Sequence, residues 1–304
     1  MSRLDPATDA ARHRGGTSRS RGILLVAAAA LCWSSGGLLA RIVDTDAWTT
    51  VFWRGIFSAV FLLGVGAVHA RRTGAGLGFR LGWPGLVMAV GFATASTCFI
   101  NALARTSVAN ALVLQSTSPF IAALLGWITM GERVRGRTWF AMAAALCGTA
   151  VMASRSWGAG SIAGDVLAVI TAASFAAAAV TVRGHAEVNL PAAAGLAGVL
   201  GAAVAWWPAE PLSASAGDLA LLAAFGAGQL GLGLMLFTAG ARLIPVAEAS
   251  LIAVLESVLG PLWVWLLLGE APAGASLTGG AVILGALMVH TAIDLRGARP
   301  QQVA

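Results

Sequence analysis

Apolar residues fall in ten long blocks, at roughly 22–40, 48–70, 82–104, 107–129, 138–154, 164–182, 190–207, 218–239, 246–268 and 273–293. Short polar joints separate them, and most blocks are close to the ~20 residues a helix needs to cross a bilayer. The pattern predicts an all-α integral membrane protein of ten transmembrane helices. The first block is too long for the apolar part of a signal peptide, so it reads as a retained first helix. Residues 1–21 are polar and carry five arginines, and read as a disordered basic tail. Residues 296–304 form a second short tail.

The pattern also repeats. Residues 246–270, VAEASLIAVLESVLGPLWVWLLLGE, are an altered copy of residues 108–132, VANALVLQSTSPFIAALLGWITMGE, 138 positions earlier and without a gap. Both copies open Val-Ala-x-Ala and close Gly-Glu, and each holds a proline part-way along, Pro119 and Pro261. A weaker echo aligns Trp33–Arg41 with Phe175–Arg183 at an offset of 142. Five helices per half is an odd number, so the second half must enter the membrane from the opposite face. Residues 22–154 and 164–295 therefore read as two inverted five-helix repeats, an organisation common in secondary transporters.

Composition fits that solvent. The chain is 58% hydrophobic and 11% charged, with mean hydropathy +0.82 and 38 glycines that let helices approach closely in lipid. The net charge of +6 comes from 19 arginines and no lysine. Those arginines sit in the joints, so they report topology rather than a nucleic-acid partner. With the N-terminus in the cytoplasm, fifteen of them fall on the cytoplasmic side, Arg71, Arg72, Arg133, Arg135 and Arg137 included. Only Arg41, Arg105 and Arg155 fall outside, and Arg54 lies within a span. This places both termini in the cytoplasm of a bacterial inner membrane. Cys32, Cys98 and Cys147 lie in apolar spans with no disulfide or metal spacing, and no metal or cofactor is expected.

The early arginine of the second span (FWRGIF, Arg54), the two repeats and the Gly-Glu endings of spans four and nine make the chain resemble the EamA family of the drug/metabolite transporter superfamily. Within it, YddG-type amino-acid exporters are the most similar. The resemblance covers about residues 22–295 and implies export of amino acids or similar small metabolites by alternating access.

Binding sites in such folds lie near the midplane between the repeats. Helical spacing selects three polar stripes: Thr94, Thr97 and Asn101 on span three; Gln115 and Ser118 on span four, beside Pro119; and Glu256 among small residues on span nine. Gln229 lies among glycines on span eight, and Ser34 lies beside Trp33 on span one. Polar groups of this kind also bridge helices without touching substrate, and both readings stay open. Glu256 sits near the bilayer centre, where an ionisable group is costly; it could couple protons, meet a substrate ammonium or balance Arg54. Arg54 lies near enough to the outer face to snorkel there, with substrate carboxylate binding as its other reading. Pro119 and Pro261 are expected hinges, while Glu132 and Glu270 end their helices and bond to loops. Glu248, Asp165 and Asp218 are expected helix caps, and His69 and His290 interfacial.

A membrane-embedded enzyme would need a nucleophile–base pair or paired acids at depth, and neither pattern occurs in the sequence. A channel would share the polar lining, and multidrug, nucleoside or sugar carriers would share the fold. Spans five and ten have few polar residues and are expected outside the cavity, bracing the bundle or joining a homodimer.

Overall fold

The computed structural model describes residues 6–74, 81–154, 161–269 and 273–297, with side chains described for 18–293 within those ranges, Ala109 excepted. Among the described residues the secondary structure is helical. In chain order the helices are α1 (Pro6–Ser34), α2 (Gly36–Ile42), α3 (Ala47–Thr73), α4 (Gly82–Leu103), α5 (Val108–Gln115), α6 (Ser118–Met130), α7 (Gly136–Ala153), α8 (Ile162–Gly184) and α9 (Leu190–Ala205). They continue with α10 (Ala216–Ala223), a π-helical stretch over Ala224–Leu232, α11 (Gly233–Ala241), α12 (Val246–Ala253), α13 (Leu255–Leu268) and α14 (Gly274–Gly297).

Among the described residues eight continuous or interrupted helices are long and apolar enough to cross a membrane, so the chain is a multi-pass membrane protein. The helices α7 and α9, of 18 and 16 residues, fall below that measure. Helices occupy all ten apolar blocks, and local chemistry sets their ends. Asp46 accepts from the backbone N–H groups of Trp48 and Thr49 at 2.8 and 3.1 Å and opens α3. Burial pushes its carboxyl up, but those bonds outweigh the effect and hold it below the ordinary aspartate range. Asp218 closes a capping box with Ser215 at the start of α10, the role expected of it. Asp165 instead accepts from the Thr106 hydroxyl at 2.7 Å, and Ser161 caps α8. Gly131 and Gly269 end α6 and α13 at φ +65° and +72°. Only glycine takes that left-handed turn without steric cost, which explains the glycine of the repeated Gly-Glu. Glu270 lies outside the described residues.

Two expectations change. The tail is helical from Pro6, because the first span continues toward the N-terminus and Arg19 is bound by Glu248 across the bundle. The break in the ninth span is at Val254 and not at Pro261, which sits inside α13. In the fourth span the break falls at Ser116–Thr117, directly before Pro119. Ser116 and Val254 are 138 residues apart, the offset of the repeat. Each break is a tight turn, with Thr117 N–H bonded to Leu114 O at 3.2 Å and Val254 N–H to Leu251 O at 3.1 Å.

Small residues bring the two halves together. A methyl built on Gly55 of α3 would lie 2.6 Å from the carbonyl oxygen of Gly198 on α9, and one on Gly198 would lie 2.6 Å from Gly55 O. Gly148 on α7 and Gly279 on α14 face each other in the same reciprocal way. Gly91 joins α4 to α8 at Ala178, and Gly22 joins α1 to α11 and Ile244. Gly55→Val is therefore expected to lower the melting temperature of the detergent-purified protein. Overpacking costs about 1–3 kcal/mol, and here the neighbour is backbone that cannot rotate away. Gly64→Ala on the same helix, with nothing within 4 Å, should melt like the parent.

Candidate functional site

At the level of the helix breaks the bundle holds a partly open cavity, with about 680 Å³ of empty space when the adjoining solvent is included. Its polar lining includes Arg54, Ser96, Gln115, Ser118, Gln229 and Glu256, and its apolar lining includes Trp33, Phe92, Phe99 and Phe175. Trp33, Phe175 and Phe237 pack with ring centroids 4.9–5.6 Å apart, and Phe92 closes on Phe175 at 5.9 Å. These rings make one rigid apolar wall.

Each polar residue is placed by its helix. The break after α5 leaves Gln115 at that helix's last position, and its Nε2 donates to Glu256 Oε1 on α13 at 2.5 Å. The carbonyl Oε1 of Gln115 is buried and has no hydrogen-bond partner. On the other side Arg54 donates from Nη1 to Ser96 Oγ at 2.9 Å and from Nη2 to Gln229 Oε1 at 2.8 Å. Its guanidinium carbon lies 4.7 Å from the centre of the Phe225 ring. Gln229 sits in the π-helical stretch and donates from Nε2 to the Trp33 carbonyl at 3.1 Å. One extra residue in that turn brings its amide between α1 and α3.

Arg54 is 3% exposed, so it does not snorkel to the outer face. Its sequence position fixes depth, but the rotation of α3 turns it inward onto Phe225. Arg54 and Glu256 share the cavity without a direct ion pair. The polar stripe of the third span lies off the cavity. Asn101 Nδ2 donates to the Thr97 carbonyl at 3.0 Å, and Asn101 Oδ1 accepts from Arg105 at 2.7 Å. Thr94 is absent from the lining. The neighbouring face of α4, with Phe92, Ser96 and Phe99, lines the cavity instead. Ser34 lines an adjoining cavity, where its Oγ accepts from Trp263 Nε1 at 2.9 Å and donates to Leu31 O at 2.7 Å.

That adjoining cavity, of about 890 Å³, shares Trp33, Phe99 and Glu256 with the central one. It runs past Gly260 and Pro261 to Arg41, Leu103 and Val108, where α2 and α4 end and α5 begins. The opposite end is closed. There α6 packs on α12, with a methyl on Gly126 meeting Val246 at 2.9 Å, and Glu132 Oε2 accepts from the Val246 N–H at 3.1 Å. Glu248 is a bridge and not a cap, for Arg19 Nη2 reaches its two oxygens at 2.8 and 2.6 Å. His290 is buried beside it, with Nε2 4.0 Å from Glu248 Oε1, rather than interfacial. A separate cavity of about 590 Å³ lies at this end, lined by Arg19, Glu132, Arg133, Arg135 and Glu248 among others. The polarity of residues 18–21 gave no sign that Arg19 would reach across the bundle.

Comparison with known proteins adds a family and a fold. Residues 20–154 match the model of the EamA-like transporter family. No curated protein matches the chain. A crystal structure of a protein superposes with a TM-score of 0.78 at 22% identity, covering 90% of this chain and 98% of its own. At that identity the likeness speaks to the fold alone. The first half of this multi-pass membrane protein is thus similar in sequence to EamA-like transporters, and nearly the whole chain shares its fold with a solved structure.

Proposed function

We propose that the whole chain is an EamA-type carrier of the drug/metabolite transporter superfamily, and that it exports amino acids or similar small metabolites by alternating access. In this reading all ten helical segments cross a bacterial inner membrane, both termini are cytoplasmic, and residues 22–154 and 164–295 are inverted repeats. The reciprocal glycine contacts support it, since each couples one helix of the first half to one of the second. The matched breaks 138 residues apart support it as well. The observation that carries the functional reading is the central cavity, which sets polar groups and one acid against an aromatic wall and adjoins a second cavity toward the ends of α2 and α4, while α6 packs on α12 at the other end. A pore would continue to both ends.

The substrate contacts in this reading are Trp33, Gln115, Ser118 and Glu256, with Arg54 and Gln229 shaping the opposite wall. Thr94, Thr97 and Asn101 serve packing, and Ser34 lines the outer approach. Rocking would turn at Pro119 and at Val254, the positions where the helices are already interrupted. Counter-flow in proteoliposomes with a panel of radiolabelled amino acids, nucleosides and sugars tests the proposal. Trans-stimulation by one unlabelled solute class is the expected result. Flux without trans-stimulation would mean a channel, and hydrolysis of a solute by the purified protein would mean an enzyme.

A further inference from the structure

We infer that the central cavity recognises its substrate through a protonated amino group, held by Glu256 and Gln115 against the aromatic wall, so that simple amines are ligands as well as amino acids. The inference rests on the transport reading above and names the chemical group that reading leaves open.

The two charged residues of the cavity are not equally available. Arg54 would be the natural partner of a substrate carboxylate, but it is already committed. A bidentate carboxylate contact needs two neighbouring N–H donors of the guanidinium fork. Each terminal nitrogen already donates to a neutral acceptor, Ser96 and Gln229, and the flat face lies on Phe225. Gln229 is itself pinned to the Trp33 carbonyl. Nε is without a partner and each terminal nitrogen keeps one further N–H, but a carboxylate reaching them shares the guanidinium with Ser96 and Gln229 and cannot approach the face that lies on Phe225.

The acidic pole is built the other way. A carboxylate only accepts, so Gln115 turns its NH₂ to Glu256 and its carbonyl away. That carbonyl is buried without a donor, beside an acid that accepts from the Gln115 amide. One acceptor without a donor beside a carboxylate that accepts from an amide suits a group that carries several N–H bonds, and an ammonium supplies three. Trp33 and Phe99 line both cavities on which Glu256 borders, so an arriving cation passes aromatic rings throughout. Ring faces attract a desolvated ammonium and offer nothing to an anion.

A matched triad tests this. Leucine carries both ammonium and carboxylate, 3-methylbutylamine the ammonium alone, and 2-hydroxyisocaproate the carboxylate alone, on one apolar body. Binding to the purified protein by isothermal titration calorimetry, and counter-flow of each compound in proteoliposomes, are the readouts. Leucine and 3-methylbutylamine should bind within about tenfold of each other and both should exchange, while 2-hydroxyisocaproate should do neither. Gln115→Leu, which removes the free acceptor together with the amide that donates to Glu256, should weaken the amine at least tenfold while the protein still elutes as the parent does. Binding of 2-hydroxyisocaproate as tight as that of the amine overturns the inference and leaves the carrier reading standing. Failure of all three to bind or exchange overturns both.

Discussion

Glu256→Gln is expected to cut counter-flow roughly 10–100-fold while leaving the melting temperature within a few degrees of the parent. Hydrogen bonds to a charged group contribute about 1.5–3 kcal/mol, and that range sets the loss if the carboxylate meets substrate. The structural reading of the same residue predicts something else. If Glu256 merely balanced Arg54, removing it would leave a buried guanidinium uncompensated and the cost would appear as instability. Geometry argues against that outcome, because Arg54 has Ser96, Gln229 and Phe225 as its immediate partners and no direct bond to the acid. Arg54→Gln should accordingly show the reverse pattern. It strips Gln229 of its donor and opens the packing of α3, a loss of about 1–3 kcal/mol, so melting should fall first. Thermal unfolding in detergent and counter-flow, run on both variants, separate the two roles. Full transport by Glu256→Gln would remove the acid from the substrate pathway. Instability of Glu256→Gln that is rescued by adding Arg54→Gln would make the two residues a charge-balancing pair.

Much of this architecture was legible because membrane helices declare their length. Helices occupy every block read from hydropathy, and the Gly-Glu endings mark the left-handed turns at Gly131 and Gly269. Pro119 marks a break because proline lacks the N–H that would bond to Gln115 O. Pro261 misleads for an equally physical reason: the interruption belongs to the repeat and not to the proline. Mapping Ser116 forward by 138 residues lands on Val254, so the signal existed, but in the alignment and not in the residue type. Facing was harder than depth. One residue on a helix is a rotation of about 100°, enough to move the lining of α4 from Thr97 to Ser96. The same limit hid the inward turn of Arg54. Long-range pairs such as Arg19 with Glu248, 229 positions apart, leave no local trace.

The second large effect is expected at that pair. In this structure α6 and α12 are packed together, and the other ends of spans four and nine, the inner-closed and outer-open side in the proposed orientation, are parted by the cavity that Val108, Leu112, Gly260 and Val264 line. In the proposed carrier cycle, rocking separates α12 from α6 and α1, and two contacts oppose it. Glu132 holds the first turn of α12 through the Val246 N–H, and Arg19 holds Glu248 through both carboxylate oxygens. The Glu248 side chain is 4% exposed, which keeps solvent from screening the pair as it screens a surface bridge. Glu248→Gln should then release about 1.5–3 kcal/mol of bias and move the ratio of inner-open to inner-closed molecules roughly 10–100-fold. The shift is measurable with single cysteines in a background lacking Cys32, Cys98 and Cys147. Ser250→Cys, on α12 and lining the central cavity, should react slowly with a membrane-impermeant thiol reagent added from the cytoplasmic side, and at least tenfold faster with Glu248→Gln. Leu112→Cys, in the outer cavity, should change the opposite way from the outer side. Glu132→Gln should act in the same direction as Glu248→Gln, because it releases the same helix from a different anchor. Equal labelling of Ser250→Cys with and without the Glu248 substitution would mean that the pair braces the bundle without gating it.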